Sequence, residues 1–182
     1  MESNISEKFK NYLNEIDSDK INSTWEKQSD FFRNFWRTKI MNSSYPALTD
    51  SEIDEAVLIL DKNAKGSTKE SIAVARVMIP QGVWRRLFKE IQGNKDLKYL
   101  LNSIFVETND KNQIELIDKL YKSNKGQKNS LTGKSGNAIN TMLFAFEPKK
   151  YLAIISLSDR KKVIDHFQIK SELDFEKDSP GL

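Results

Sequence analysis

The sequence contains no cysteine and a single histidine, His166. Disulfide bonds and thiolate metal sites are therefore excluded, and the second histidine that a histidine-based metal site needs is missing. A chain without cysteine is typical of a reducing compartment, so we expect this protein in the cytoplasm. We expect neither a metal nor another cofactor.

Long apolar runs are also missing. No stretch approaches the roughly 20 apolar residues that a membrane-spanning helix requires. The N-terminal residues MESNISEKFKNYL are acidic and polar, unlike a signal or transit peptide. We therefore expect no membrane partner.

Charge is abundant but unevenly distributed. Charged residues make up 30% of the chain and apolar residues 38%, which is typical of a helix-rich protein with a wide solvated surface. The net charge is +3, but residues 1–60 contain seven Lys and Arg against eleven Asp and Glu (−4), so residues 61–182 carry +7. This asymmetry favours a surface that faces a polyanion such as nucleic acid. A lysine-rich solvated surface without any partner explains the same numbers.

Apolar residues recur at helical spacing along most of the chain. A polar joint is expected over residues 17–24, and Thr49 with Glu52 has the capping-box pattern that opens a helix. The run YLAIISLS, residues 151–158, is strand-like, although an extended connector explains it equally well. We predict a mainly α fold: a single domain of about eight packed helices with at most one small strand pair. Residues 1–20 are expected to form a peripheral helix, residues 21–170 the helical domain, and residues 171–182 an irregular acidic tail leading to a missing module.

One predicted helix is strongly aromatic. Trp25, Phe32, Phe35 and Trp36 share one broad face, with Phe31 beside it. Crowding of rings at helical spacing favours a buried core position. The alternative is a platform on which nucleic-acid bases stack.

The residues Gly-Lys-Ser at 133–135 are the last letters of the nucleotide-binding P-loop signature. The signature requires a glycine where this chain has Lys128, and Gly126 lies two residues too early. A P-loop also follows a buried strand, whereas an amphipathic helix precedes this segment. Asp61, at the end of VLILD, is the nearest match to a Walker B aspartate but belongs to a helical pattern. Nucleotide hydrolysis is therefore not expected here.

The same segment lies in a basic loop, expected to be flexible, that contains no acidic residue from 119 to 134. Ser135 is placed to cap the following helix, whose first amides and partial positive charge attract anions. Such a loop can hold a phosphate of a nucleic-acid backbone, and a mobile solvated loop is the alternative. Lys119 extends the charge of the loop. The predicted phosphate-binding residues are Lys122, Lys125, Lys128, Lys134, Ser135, Arg160, Lys161 and Lys162.

A second basic group follows Trp84 on another predicted helix. Arg85, Arg86 and Lys89 are three and four residues apart or adjacent, so they form a candidate groove-facing surface of the kind a recognition helix presents. An ordinary amphipathic helix has the same pattern.

Residues suited to catalysis are scarce. His166 has no cysteine or second histidine as a partner, and half-buried packing is the expected role. A metal-dependent nuclease of the PD-(D/E)xK type needs an acid and a lysine two residues apart on a strand, whereas Glu7 and Lys10 are three residues apart on a polar helix. No catalytic residues are assigned.

Residues 131–169 resemble a pattern found in prokaryotic restriction-type proteins, including McrB-like AAA ATPases and Mrr-like endonucleases. In those proteins a glycine-containing helix start is followed by a helix, a P-x-[KR]-[YF] turn, a short apolar stretch and another helix. The matching positions here are Gly133, Ser135, Ile139, Leu143, Pro148, Lys150 and Tyr151. The resemblance implies a region that accompanies a separate ATPase or nuclease module and contacts DNA or a partner.

These observations lead to an expected function. We expect a non-catalytic accessory or DNA-binding domain of a restriction or defence protein, which contacts the phosphate backbone of duplex DNA through the basic Gly/Lys loop. Any ATPase or nuclease activity would belong to a module or subunit outside this chain. The alternative is a protein-interaction domain that docks a partner subunit through an exposed aromatic patch around Phe31 and Trp36.

Overall fold

The computed structural model describes residues 10–11, 18–61, 79–133, 138–151, 154, 156–167, 174 and 178–181. In that part of the chain the fold is all α, with no strand, which confirms the predicted fold class. The helices are α1 Ser18–Phe35, α2 Asp50–Leu60, α3 Gln81–Gly93, α4 Lys95–Val106, α5 Asp110–Ser123, α6 Ala138–Phe146 and α7 Leu157–Phe167. Nearly all of the first predicted helix, residues 5–16, and the apolar run at residues 71–78 lie outside the described residues.

The first described helix begins earlier than predicted. The polar joint expected at residues 17–24 is wrong from residue 18 onward, because α1 already begins at Ser18. At its other end α1 continues as a π-helical turn, Trp36–Ile40, closed by a hydrogen bond from the amide of Met41 to the carbonyl of Trp36 at 2.9 Å.

Helix α6 lies at the centre of the core. Seven of its nine residues are buried, and six of those seven are apolar, as expected of a helix covered on most sides. It packs against α1 and α2, while α2 packs on α3, α3 on α4, and α4 on α5. At its C-terminal end the carbonyl of Phe146 accepts hydrogen bonds from Arg33 Nη1 at 2.8 Å and from Ser29 Oγ at 3.1 Å.

The aromatic face of α1 is core. Phe32, Phe35 and Trp36 are buried, and the rings of Trp36 and Phe105 meet edge to face with centroids 4.8 Å apart. The indole Nε1 of Trp36 donates to Asn102 Oδ1 at 3.1 Å, which satisfies its one polar atom. Base stacking on these rings is therefore excluded, and Phe31 is the one large apolar side chain of this group that is exposed.

Two short features fix helix boundaries. The predicted capping box is confirmed, since Thr49 Oγ1 accepts from the amide of Glu52 and the Glu52 carboxylate accepts from the amide of Thr49 at 2.9 Å.

The strand-like run 151–158 ends in helix α7. Ser156, rather than the expected Ser158 or Asp159, caps that helix, with its Oγ accepting from the amide of Asp159 at 3.4 Å.

Asp61, the nearest match to a Walker B aspartate, is a buried structural residue. Its Oδ2 accepts from the amide of Ile79 at 2.9 Å and from Trp84 Nε1 at 3.1 Å. These bonds tie the end of α2 to the start of α3. The carboxylate is thus engaged inside the core rather than at a nucleotide site.

The chain end contacts the helical domain. The amide of Gly181 donates to Asp118 Oδ1 on α5 at 2.8 Å. A β-carbon at position 181 would lie 2.4 Å from the carbonyl oxygen of Ile114, so this close approach requires glycine.

Candidate nucleic-acid interface

The loop that follows α5 is built around a pair of asparagine side chains. Asn124 Nδ2 donates to Asn129 Oδ1 at 3.2 Å and Asn129 Nδ2 donates back to Asn124 Oδ1 at 2.9 Å. Asn124 also donates to Thr132 Oγ1 at 2.7 Å, and Asn129 Nδ2 reaches the carboxylate of Glu90 on α3 at 3.2 Å. Over residues 124–133 the basic loop is therefore a hydrogen-bonded structure anchored to α3, not the flexible segment expected.

Two residues of this loop have a positive φ angle. Gly126 has φ +84°, a left-handed conformation that only glycine adopts without strain. Ser130 also has a positive φ, 61°, and its neighbour Leu131 is fully buried. The burial of Leu131 holds the loop against the core and compensates the backbone strain at Ser130.

The start of α6 offers fewer free amides than expected. The amide of Ala138 donates to the carbonyl of Ser130 at 3.0 Å, and the amide of Ile139 donates to the carbonyl of Leu131 at 3.1 Å. The loop thus occupies two donors that a phosphate at this helix start would use. The predicted contacts Lys134 and Ser135 lie outside the described residues.

Four lysines at the end of α5 and in the loop share one property. Each is exposed, and none forms an ion pair with a carboxylate within the described part of the chain. We name them the lysine cluster: Lys119, Lys122, Lys125 and Lys128. They recur every third residue, and the amide of Lys125 donates to the carbonyl of Lys122 at 3.4 Å, so the helix passes into a tight turn. Lys119 and Lys122 are neighbours on the surface of α5, because residues three apart in a helix lie close together.

Two carboxylates close to the cluster have other partners. Glu90 accepts from Asn129, and Asp118 accepts from the amide of Gly181. These two carboxylates form no ion pair with the lysines of the cluster. They lower the positive potential there only through longer-range electrostatic interaction.

Arg160 is an internal anchor rather than a surface contact. Its Nε donates to the carbonyl of Ile154 at 2.7 Å, and its guanidinium lies close enough to Tyr121 for the two to interact electrostatically. Burial lowers the pKa of Arg160 and raises that of Tyr121. The structure thereby brings the start of α7 next to the end of α5, where Lys122 lies, but turns the charge of Arg160 inward.

Lys161 and Lys162 are exposed but paired within α7. Lys161 Nζ lies 2.7 Å from Asp165 Oδ2, and Lys162 Nζ lies 2.7 Å from Asp159 Oδ1. Ion pairs this exposed are weak and open readily, yet each offsets one positive charge on α7. Of the predicted phosphate-binding residues, the structure leaves Lys122, Lys125 and Lys128 as the exposed cations without a carboxylate partner among the described residues. Lys119, part of the charged run but not among the predicted contacts, joins them.

The candidate groove-facing residues on α3 point in different directions. Arg85 binds Asp54 at two points and also reaches Asp50 Oδ2 at 3.1 Å, while Lys89 Nζ pairs with Asp50 Oδ1 at 2.7 Å. Arg85 and Lys89 therefore hold α3 against α2, and their charge is compensated inside the domain. Arg86 is exposed.

Groups suited to catalysis or metal binding are not assembled. Across the described residues, no three His, Asp or Glu side chains come together as a metal site. His166 is exposed, so its expected half-buried packing is wrong; Val163 and Ile164 are the half-buried residues on that stretch of α7. Among the described helices, none has the length and apolar character needed to cross a bilayer.

Comparison with known proteins gives no relative. No family model, no curated protein and no solved structure matches this chain.

Proposed function

We propose that this chain is a non-catalytic domain that binds the phosphate backbone of duplex DNA through the lysine cluster. The observation that carries the proposal is the exposure of four lysines, free of ion pairs within the described residues, at the end of α5 and on the following loop, which a hydrogen-bond network holds in place. Lysines that contact DNA phosphates displace condensed counterions, and a backbone that is already ordered reduces the entropic cost of that contact.

The biological setting is part of the same proposal. The resemblance of residues 131–169 to restriction-type proteins supports an accessory domain of a restriction or defence system, with any ATPase or nuclease in another module or subunit. Helix α6 and the turn after it, which carry much of that resemblance, form the central core element and its cap. Their role in this chain is to support the loop that presents the lysines.

Salt dependence tests the proposal directly. A labelled duplex is titrated with the full chain by fluorescence anisotropy at several salt concentrations. Four phosphate contacts predict a slope of about −3.6 in log affinity against log salt. Lys122→Gln and Lys125→Gln should each weaken binding to all sequences equally and reduce the slope by about 1.

Lys111, on the same helix α5 as Lys122, provides a matched control. Lys111 is exposed at the other end of α5, so Lys111→Gln makes the same change in net charge away from the cluster. Its slope should equal that of the unmodified chain. Absence of binding at about 50 mM salt, or equal losses in Lys111→Gln and Lys122→Gln, would refute a site at the cluster.

A second candidate function is supported by a different surface. Between α1 and α2 an apolar groove of about 430 Å³ contains the 43% exposed ring of Phe31 together with Leu58 and Ile59. Exposed apolar area of this kind is typical of protein-interaction sites. Trp36 does not contribute, because it is buried.

The two candidates differ in the surface they need. If the chain docks a second copy of itself as a subunit, its sedimentation should depend on concentration, and Phe31→Ser should abolish that dependence without changing DNA binding. Monomeric sedimentation over the whole concentration range argues against self-docking at Phe31.

A further inference from the structure

A cleft of about 630 Å³ lies between α4 and α5 and adjoins the lysine cluster. Its volume is within the usual range for small-ligand sites. Leu97, Leu100 and Leu116, all half-buried, give it apolar surface, and Lys119 of the cluster is one of its lining residues. A molecule in this cleft therefore touches the same residue that contacts the DNA backbone in the proposed function.

An exposed aromatic ring borders this cleft. Tyr99 is 46% exposed, and among the described residues it is one of three large apolar side chains with so much surface in water. The other two, Phe31 and Val106, do not line this cleft. A flat ring placed against Tyr99 would remove apolar area of both rings from water and gain from offset stacking.

The polar groups of the cleft indicate which part of a ligand enters it. Asp96 supplies a carboxylate, Ser103 a hydroxyl and Gln127 an amide, which suit the amino, imino and carbonyl edges of a nucleobase. The carboxylates of Asp96 and Glu90 repel a phosphate inside the cleft, whereas Lys119 attracts one at its edge. A neutral planar ring inside with its phosphate outside is the arrangement that a nucleotide provides.

In a duplex this arrangement cannot form. Both faces of each base are covered by neighbouring bases, and the pairing edge is occupied. A single-stranded segment leaves faces and edges free, and base stacking on protein rings is its common mode of binding. We infer that the cleft between α4 and α5 binds one unpaired nucleobase of a single-stranded nucleic acid, stacked on Tyr99, while the lysine cluster contacts the adjoining phosphates. This inference rests on the proposed function, because it uses the same lysines.

The test uses a short single-stranded oligonucleotide that carries the fluorescent base 2-aminopurine. Stacking of that base on Tyr99 should quench its emission when the full chain is added. Tyr99→Phe should retain the quench, because the ring face remains. Tyr99→Leu should remove it and weaken single-strand binding by about 5- to 150-fold, the range that base–aromatic stacking contributes, while duplex affinity stays within about twofold.

Val106 provides the control substitution for this experiment. Val106→Ala shortens an exposed side chain on the same helix outside the cleft, and it should behave as the unmodified chain. If the duplex binds normally but no quench occurs, or if Tyr99→Leu still quenches, this inference is wrong and the proposed function stands. If neither nucleic acid binds, both are wrong. Loss of the quench in Tyr99→Leu alone supports the inference.

Discussion

Arg85 and Asp54 form a two-point ion pair across the interface of α3 and α2. Arg85 Nε donates to Asp54 Oδ1 at 2.9 Å, and Arg85 Nη2 donates to Asp54 Oδ2 at 2.7 Å. The hydrogen bond to Asp54 raises the pKa of Arg85 further. This geometry makes the arginine part of the fold rather than part of a DNA-facing surface.

Substitution at this pair should therefore separate stability from DNA binding. Arg85→Gln leaves the mostly buried Asp54 carboxylate without its two donors, so the thermal midpoint should fall. Duplex affinity should stay within about twofold. Arg86→Gln, an exposed neighbour on the same helix, should leave the midpoint unchanged. If Arg85→Gln weakens DNA binding as much as Lys122→Gln does, the arginine would have to leave Asp54 to contact DNA, contrary to this assignment.

Two glycines with open space around them should respond to alanine in opposite directions. No atom lies within 4 Å of a β-carbon added at Gly93 or at Gly126, so neither substitution creates a clash. Gly93 ends helix α3 without a positive φ, and Gly93→Ala should stabilise the protein by about 0.5 kcal/mol. Gly126 has φ +84°, and Gly126→Ala should destabilise it by about 1–2 kcal/mol. Urea unfolding measures both, and two changes of the same sign would contradict the assigned backbone conformations.

Glu52 should make the stability depend on acid pH. The hydroxyl of Tyr45 donates to its carboxylate, and with the Thr49 amide and Lys39 it lowers the pKa of Glu52 from 4.5 to about 2. A carboxyl group whose pKa is lowered by folding stabilises the protein above the unfolded pKa, and that stabilisation is lost as the pH falls toward the folded pKa. The free energy of unfolding should therefore decline between about pH 4.5 and pH 2.

The variant Glu52→Gln tests this dependence. Glutamine still caps the amide of Thr49, so the helix start is kept while the titrating group is removed. The decline of the free energy of unfolding between pH 4.5 and pH 2 should become shallower than in the unmodified chain. Glu55→Gln removes an exposed carboxylate from the same helix and controls for the change in net charge. An unchanged pH profile in Glu52→Gln would contradict the lowered pKa.

The fold could be predicted from the sequence because it depends on local patterns. Apolar residues at helical spacing predicted the mainly α fold, and Thr49 with Glu52 predicted where α2 begins. These signals lie within a few residues of one another, as do the interactions that form a helix.

The candidate site was less predictable because it depends on contacts between distant residues. The partner of Arg85 lies 31 residues away on another helix, so no pattern along α3 shows that its charge is compensated. Arg160 likewise meets Tyr121 only through the packing of α7. Tyr99 lies outside the apolar period of α4, so the pattern places it on the outer face, but only the packing shows that a cleft lies beside its ring.

The asparagine pair in the loop should affect DNA binding without touching DNA. Asn124 is buried and exchanges hydrogen bonds with Asn129 and Thr132, so Asn124→Ala leaves buried polar groups unsatisfied and should cost about 1–3 kcal/mol of stability. The backbone that carries Lys125 and Lys128 is then no longer held in place. The entropic cost of ordering these lysines on DNA reduces the free energy of binding. Duplex affinity should therefore fall although the net charge is unchanged.

A cap on the same helix provides the matched control for that result. Asn109 Oδ1 accepts from the amide of Asn112 at 3.1 Å at the other end of α5, and Asn109→Ala should cost about 1 kcal/mol. Urea unfolding and duplex titration are measured on both variants. Because Asn109 supports no lysine of the cluster, its loss should lower stability and leave affinity unchanged. Equal affinities in the two variants would mean that the lysines bind DNA without being held by the loop, and a reduced affinity in Asn124→Ala alone would show that the fixed loop positions them.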